Sequence, residues 1–84
     1  MNPISFPGAN VVYGEGQPEY QPLPALKLPD YEGTVVTCWA VSDHELEQIM
    51  EHKKIYLKQL TFNGELQPIL PMADLGDDII MNYE

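Results

Sequence analysis

The sequence predicts a small α+β fold, in which an extended, Pro-rich N-terminal arm precedes a β-α-β-β unit with one helix packed on a short sheet. Three observations lead to it. Six of the eight prolines fall within residues 1–29, which forbids a helix of useful length there. A β-branched run, "TVVTCWAV", passes directly into the helix-capping sequence Ser42-Asp43-His44-Glu45. Two more strand-like runs flank Asn63-Gly64, the dipeptide that most readily takes the positive φ angles of a type I′ hairpin turn.

Eighty-four residues make one domain, near the size at which a single core is barely sufficient. Within it, residues 1–32 form the expected arm, 33–72 the β-α-β-β core and 73–84 an acidic tail. The arm is too apolar for a solvating tail, because Phe6, Val11, Val12, Tyr13, Tyr20, Leu23, Leu26, Leu28 and Tyr31 all lie in it. A short strand fits "NVVY" (Asn10 to Tyr13), and polyproline-like geometry fits "QPLPALKLP". Such an arm must lie against something, either its own domain or a neighbouring subunit.

After Gly33, the run Thr34 to Val41 puts Val35, Thr37, Trp39 and Val41 on one face and Val36, Cys38 and Ala40 on the other. Both faces suit an interior strand. Ser42 and Glu45 then form an S-x-x-E capping box, so the helix begins at Asp43. Asp43 and Glu45 match its positive N-terminal end, while Lys53 and Lys54 match its negative C-terminal end. Leu46, Ile49 and Met50 supply a narrow apolar stripe. Beyond the helix, Lys54 to Phe62 is expected as a second strand and Glu65 to Leu70 as a third, placed at an edge because Pro68 lacks an amide donor. The final segment reads as a short helix interrupted by Gly76 or as an extended docking tail.

Charge excludes several functions. Four lysines against thirteen carboxylates give −9, which repels nucleic acid and anionic lipid. The longest apolar run is four residues, far short of the roughly 20 that cross a bilayer, and no leader or anchor is expected. One cysteine allows no intramolecular disulfide and suggests a reducing compartment. The acidity serves solubility or, on a sharper reading, mimics a polyanion for a basic groove on another protein.

Candidate chemistry is sparse. Cys38 lies inside a predicted strand, four residues before Ser42 and away from any cation, so core packing is expected of it and nucleophilic activity is not. Trp39 is expected under the helix or the arm, with an exposed interface anchor as the alternative. His44 and His52 are eight residues apart, too far for the i, i+4 chelation of helical zinc sites, and Asp77-Asp78 and Glu47/Glu51 lack calcium-loop spacing. No phosphate-binding loop, nucleophile elbow or paired-carboxylate pattern occurs, so neither a catalytic residue nor a cofactor is expected. Lys53, Lys54 and Lys58 form the positive patch, and Phe6, Tyr20, Trp39 and Tyr83 are the aromatic candidates for contact with a partner.

The order of "ISFPGANVVY", "QPEYQPLP", "VVTCWAVSDHELEQI" and "KKIYLKQLTFNGELQPILP" resembles a group of small uncharacterised phage and prophage proteins. Their Phe-Pro arm, strand ending in Cys-Trp, capped helix and Gln-Pro near the C-terminus match Phe6-Pro7, Cys38-Trp39, Ser42 to Met50 and Gln67-Pro68 here. The resemblance implies a viral origin and a place in host cytoplasm or virion, and carries no activity with it. The expectation is a phage-encoded, non-enzymatic protein-interaction module acting on a host or anti-phage defence component. A virion decoration or connector protein is the alternative, and an oligomeric sponge for a small phosphorylated ligand a weaker one. Partners are therefore protein, with self-association into a homo-oligomer expected from the arm and the small size; nucleic acid and membrane are not.

Overall fold

A computed structural model describes residues 1–74 as a curled four-stranded antiparallel sheet followed by one helix. The elements are β1 (Asn2–Ile4), β2 (Val11–Tyr13), β3 (Leu23–Lys27), β4 (Val35–Ala40) and α1 (Asp43–His52), with the strands in the order β1-β4-β3-β2. The mixed α+β class is therefore as expected, but its layout is not. Three of the four strands come from the segment expected as an arm, and among the described residues no strand follows the helix.

The arm folds in cis because its turns are those of a meander. At Phe6-Pro7-Gly8-Ala9 the Ala9 N–H donates to the Phe6 carbonyl at 3.0 Å, and Gly8 has φ 98°. Proline followed by a left-handed glycine is the signature of a type II turn, which a side chain at Gly8 would strain. β2 spans Val11–Tyr13, within the "NVVY" stretch. The "QPLPALKLP" stretch, expected to be polyproline-like, instead supplies β3, an interior strand. Proline is unusual inside a sheet because it cannot donate to a ladder. Here Pro24 pairs with Val12 of β2, while the ladder to β4 starts one residue later, at Ala25.

Asn10 extends the β2–β3 ladder with its side chain. Its Nδ2 donates to the Lys27 carbonyl at 3.0 Å and its Oδ1 accepts from the Lys27 N–H at 2.8 Å. The side-chain amide thus stands in for a peptide group. The next turn is closed by Gly33 N–H donating to the Asp30 carbonyl, and the Asp30 carboxylate accepts from both the amide and the hydroxyl of Thr34. Those bonds, the hydroxyl's first, hold the Asp30 carboxyl below its ordinary pKa.

β4 divides its pairing between two neighbours. Val35 to Thr37 pair with Lys27 to Ala25 of β3, whereas Cys38 to Ala40 pair with Ile4 to Asn2 of β1. β1 and β3 also touch each other, which curls the sheet. Cross-strand partners Leu26 and Val36 are buried together with Leu28, and the partly buried Phe6 packs against this cluster. Ala25 is also fully buried, and these few side chains are the whole core among the described residues.

The helix begins at Asp43, as expected, with both halves of the capping box present: Glu45 N–H donates to Ser42 Oγ at 3.2 Å and Ser42 N–H to Glu45 Oε1 at 2.9 Å. It ends at Lys53, which takes the left-handed conformation (φ 55°) and donates its N–H to the Ile49 carbonyl. The expected packing of this helix across a sheet face is corrected: none of its residues is buried, and it contacts no strand. The apolar stripe is only three residues wide and no sheet lies beneath it.

The expected hairpin is corrected too. Its turn exists, one residue early: Phe62 (φ 53°) and Asn63 (φ 65°) occupy the central positions, and Gly64 N–H donates to the Thr61 carbonyl at 3.0 Å. Positive φ at both central residues marks a type I′ turn. In the register this turn sets, Gln59 faces Leu66 and Leu57 faces Pro68, both at hydrogen-bonding positions. Pro68 has no N–H, so the ladder could not pass Leu66, and so short a two-stranded ribbon is marginal in water. The flanking segments are accordingly without strand structure. The acidic tail expected at 73–84 lies outside the described residues from position 75 onward.

If the Asn10 amide acts as a strand residue, Asn10→Ala will lower stability by about 1–2 kcal/mol in urea unfolding, two hydrogen bonds being lost. Asn10→Asp, which keeps the acceptor but not the donor, will fall between the two.

Candidate interaction surface

Two features stand out from the sheet: the outer face of β4 and the segment that follows the helix. On the outer face, Trp39 lies opposite Pro3 of β1 and is 46% exposed. Its indole N–H donates to Thr37 Oγ1 at 2.9 Å, two residues along the same face. The ring therefore does not lie beneath the helix, which contacts no strand, but beside the segment expected as an arm, whose first strand is its cross-strand neighbour. Val35 and Val41 are exposed beside it, whereas Val36 on the inner face is buried. Cys38 is half-buried on that inner face, opposite Ile4, in keeping with a packing role.

The post-helix segment is the larger surface. Ile55, Tyr56, Leu57, Leu60, Phe62, Leu66, Ile69, Leu70 and Met72 are all exposed, with Phe62 at 86%, Tyr56 at 83% and Leu70 at 80%. Scattered single apolar residues on a surface need no explanation, whereas nine on one segment are more than a monomeric surface usually leaves to water. Sequence reasoning assigned these residues to a hairpin of the protein's own sheet and did not single them out. The legible signal was Pro68, which denies that hairpin a full ladder.

Of the residues singled out from sequence, Phe6 belongs to the core. Tyr20 is exposed beside an open cleft lined with Tyr13, Gln17, Gln21 and Leu23. Lys53 caps the helix, and Lys54 lies over the Tyr56 ring, its Nζ 5.5 Å from the centroid, in a shallow cleft with Gln48 and His52. Lys58 is exposed on the post-helix segment. Tyr83 lies outside the described residues, as do Asp77-Asp78. Among the described residues no group of three metal-ligating side chains gathers, and no helix is long and apolar enough to cross a membrane.

Electrostatics concentrate at the helix start. The Met1 ammonium donates to Glu45 Oε2, so one carboxylate both closes the capping box and ties the helix to the strand that begins at Asn2. The ammonium first, and the Ser42 amide second, lower the Glu45 carboxyl from 4.5 to about 2.

No known protein family, curated protein or solved structure matches the chain.

Two measurements check this geometry. A carboxyl whose pKa is depressed in the folded state stabilises above its unfolded value and loses that contribution as pH falls through the folded one. The stability difference between the native chain and Glu45→Gln will therefore be largest above pH 5 and shrink between pH 4.5 and about 2. In fluorescence, the single tryptophan will emit at a solvent-shifted wavelength and be quenched readily by acrylamide; a blue-shifted, protected emission in the monomer would contradict the exposed ring.

Proposed function

We propose that this chain is a phage-encoded, non-enzymatic protein-interaction module whose contact segment is residues 54–72. The single observation behind this is the run of large apolar side chains on that segment, left uncovered by the sheet and the helix. Leaving so much apolar surface in water forgoes about 25 cal/mol per Å², which a partner recovers on binding. The resemblance to phage and prophage proteins supports the viral origin. A host or defence component is the target class that origin suggests. The lack of a nucleophile, a matched base or a phosphate loop in the sequence supports a role without catalysis.

The accessory reading is favoured over the virion connector. That alternative rested on an arm free to reach a neighbour, and residues 1–32 instead supply three strands to their own sheet. The phosphate-sponge reading has less support still, because the Lys54 ammonium already lies over the Tyr56 ring and no enclosed anion pocket gathers Lys53, Lys54 and Lys58 among the described residues.

A photo-crosslinking amino acid placed at Leu60, with Tyr31 at the fully exposed tip of the β3–β4 turn as the control position, tests the module in cells that make it. The expected result is one dominant protein adduct from position 60 that is absent from position 31. The same diffuse background from both positions would remove the proposal.

A further inference from the structure

An asparagine carboxamide can be attacked by the backbone nitrogen of the residue that follows it, closing a five-membered ring. Glycine, which has no Cβ, leaves that nitrogen least shielded. Of the four asparagines in this chain, Asn63 alone precedes a glycine.

The structure separates the described asparagines further. Asn2 precedes Pro3, whose ring nitrogen carries no proton to lose. Asn10 precedes the branched Val11, and its carboxamide is committed at both ends: Nδ2 donates to the Lys27 carbonyl at 3.0 Å and Oδ1 accepts from the Lys27 N–H at 2.8 Å. Asn63 is exposed, and its carboxamide has no hydrogen-bond partner among the described residues.

The turn around Asn63 is lightly held. Among the described residues, Gly64 N–H to the Thr61 carbonyl, at 3.0 Å, is the one backbone hydrogen bond between positions 54 and 73, and neither flank lies in a ladder. Phe62 sits at φ 53°, which is costly for a bulky residue, and no neighbouring strand imposes it. One neutral hydrogen bond favours the closed turn by a factor of roughly 2–13. The Gly64 nitrogen is therefore freed often, and the turn slows its reactions by no more than that factor.

We propose that Asn63 is a site of spontaneous covalent modification, at which the Gly64 backbone nitrogen displaces the nitrogen of the Asn63 carboxamide. The Gly64 nitrogen loses its proton and bonds to Asn63 Cγ; the Cγ–Nδ2 bond breaks, and Nδ2 takes up a proton and leaves as ammonia. Water then opens the ring. Attack at Cγ restores the ordinary backbone with an aspartate at 63, and attack at the Asn63 main-chain carbonyl carbon leaves an isoaspartate, whose backbone runs through Cγ. Either product adds a carboxylate to a stretch that has two lysines and one glutamate between residues 54 and 73. The isoaspartate also threads an extra methylene into the Thr61–Gly64 ring, for which a two-residue turn has no room. This chemistry is independent of whether the segment binds a partner.

Incubation of the full chain at mildly alkaline pH, followed by peptide mass mapping, tests this against a synthetic peptide spanning Gln59 to Gln67. Position 63 is expected to show the mass gain of an amide converted to an acid, as a mixture of aspartate and isoaspartate. Its rate will lie within roughly 13-fold of the peptide's, while Asn2 and Asn10 stay unchanged. Gly64→Ala, whose Cβ would lie 3.3 Å from the Thr61 carbonyl oxygen and crowd the nitrogen, will slow the conversion at least tenfold. Because that variant could also disturb the turn, the products of the native chain are decisive, isoaspartate arising only through the ring. Conversion to aspartate alone overturns the proposal. So does a native chain slower than the peptide by more than the stated factor, or one in which Asn10 converts as fast as Asn63.

Discussion

The pairing of Leu26 with Val36 across β3 and β4 holds the folded part of this protein together. Around that pair the chain buries Leu28, Ala25 and the flank of Phe6, each apolar side chain of this kind contributing about 1.5–3 kcal/mol when fully removed from water. β1 can join only because β4 extends past this pair and offers Cys38 to Ala40 as a second ladder. β2 joins at the other side through Ala25 and the side chain of Asn10. Every strand therefore reaches the core through β3 or β4, and a core this small leaves the rest of the chain dependent on local devices.

The helix shows what those devices accomplish. Ten residues without a buried side chain would be marginal in water, since helix stability in proteins comes mostly from packing. Here both ends are closed, by the Ser42–Glu45 box and by the left-handed Lys53, and the Met1 ammonium anchors the first turn through the same Glu45. Sharing one carboxylate between cap and anchor couples the helix to β1. It leaves the helix surface, including Leu46 and Met50, exposed.

The segment after the helix is where composition and structure part. It has the composition of a sheet and the turn of a hairpin but no ladder, because Pro68 falls at a hydrogen-bonding position in the register the turn imposes. Its apolar side chains have no core to enter, the sheet having been completed by residues that precede it. Most of the chain's acids lie outside this stretch, which has two lysines and one glutamate between residues 54 and 73.

Local structure was legible in the sequence wherever neighbouring residues suffice to define it. The helix start at Asp43, the alternation of β4 and the short strand at Val11–Tyr13 follow from side-chain hydrogen bonding and the two-residue period of a strand. Which strands pair was decided only by the tertiary structure. "QPLPALKLP" has the proline content of an extended, unpaired segment, yet Leu26 and Leu28 gain more by meeting Val36 than the prolines lose, because Pro24 sits where one ladder has not yet begun. "KIYLKQLTF" has the stronger strand composition and stays outside the sheet. Strand propensity describes fitness for a half-buried surface, and only the assembled core determines which segments obtain one.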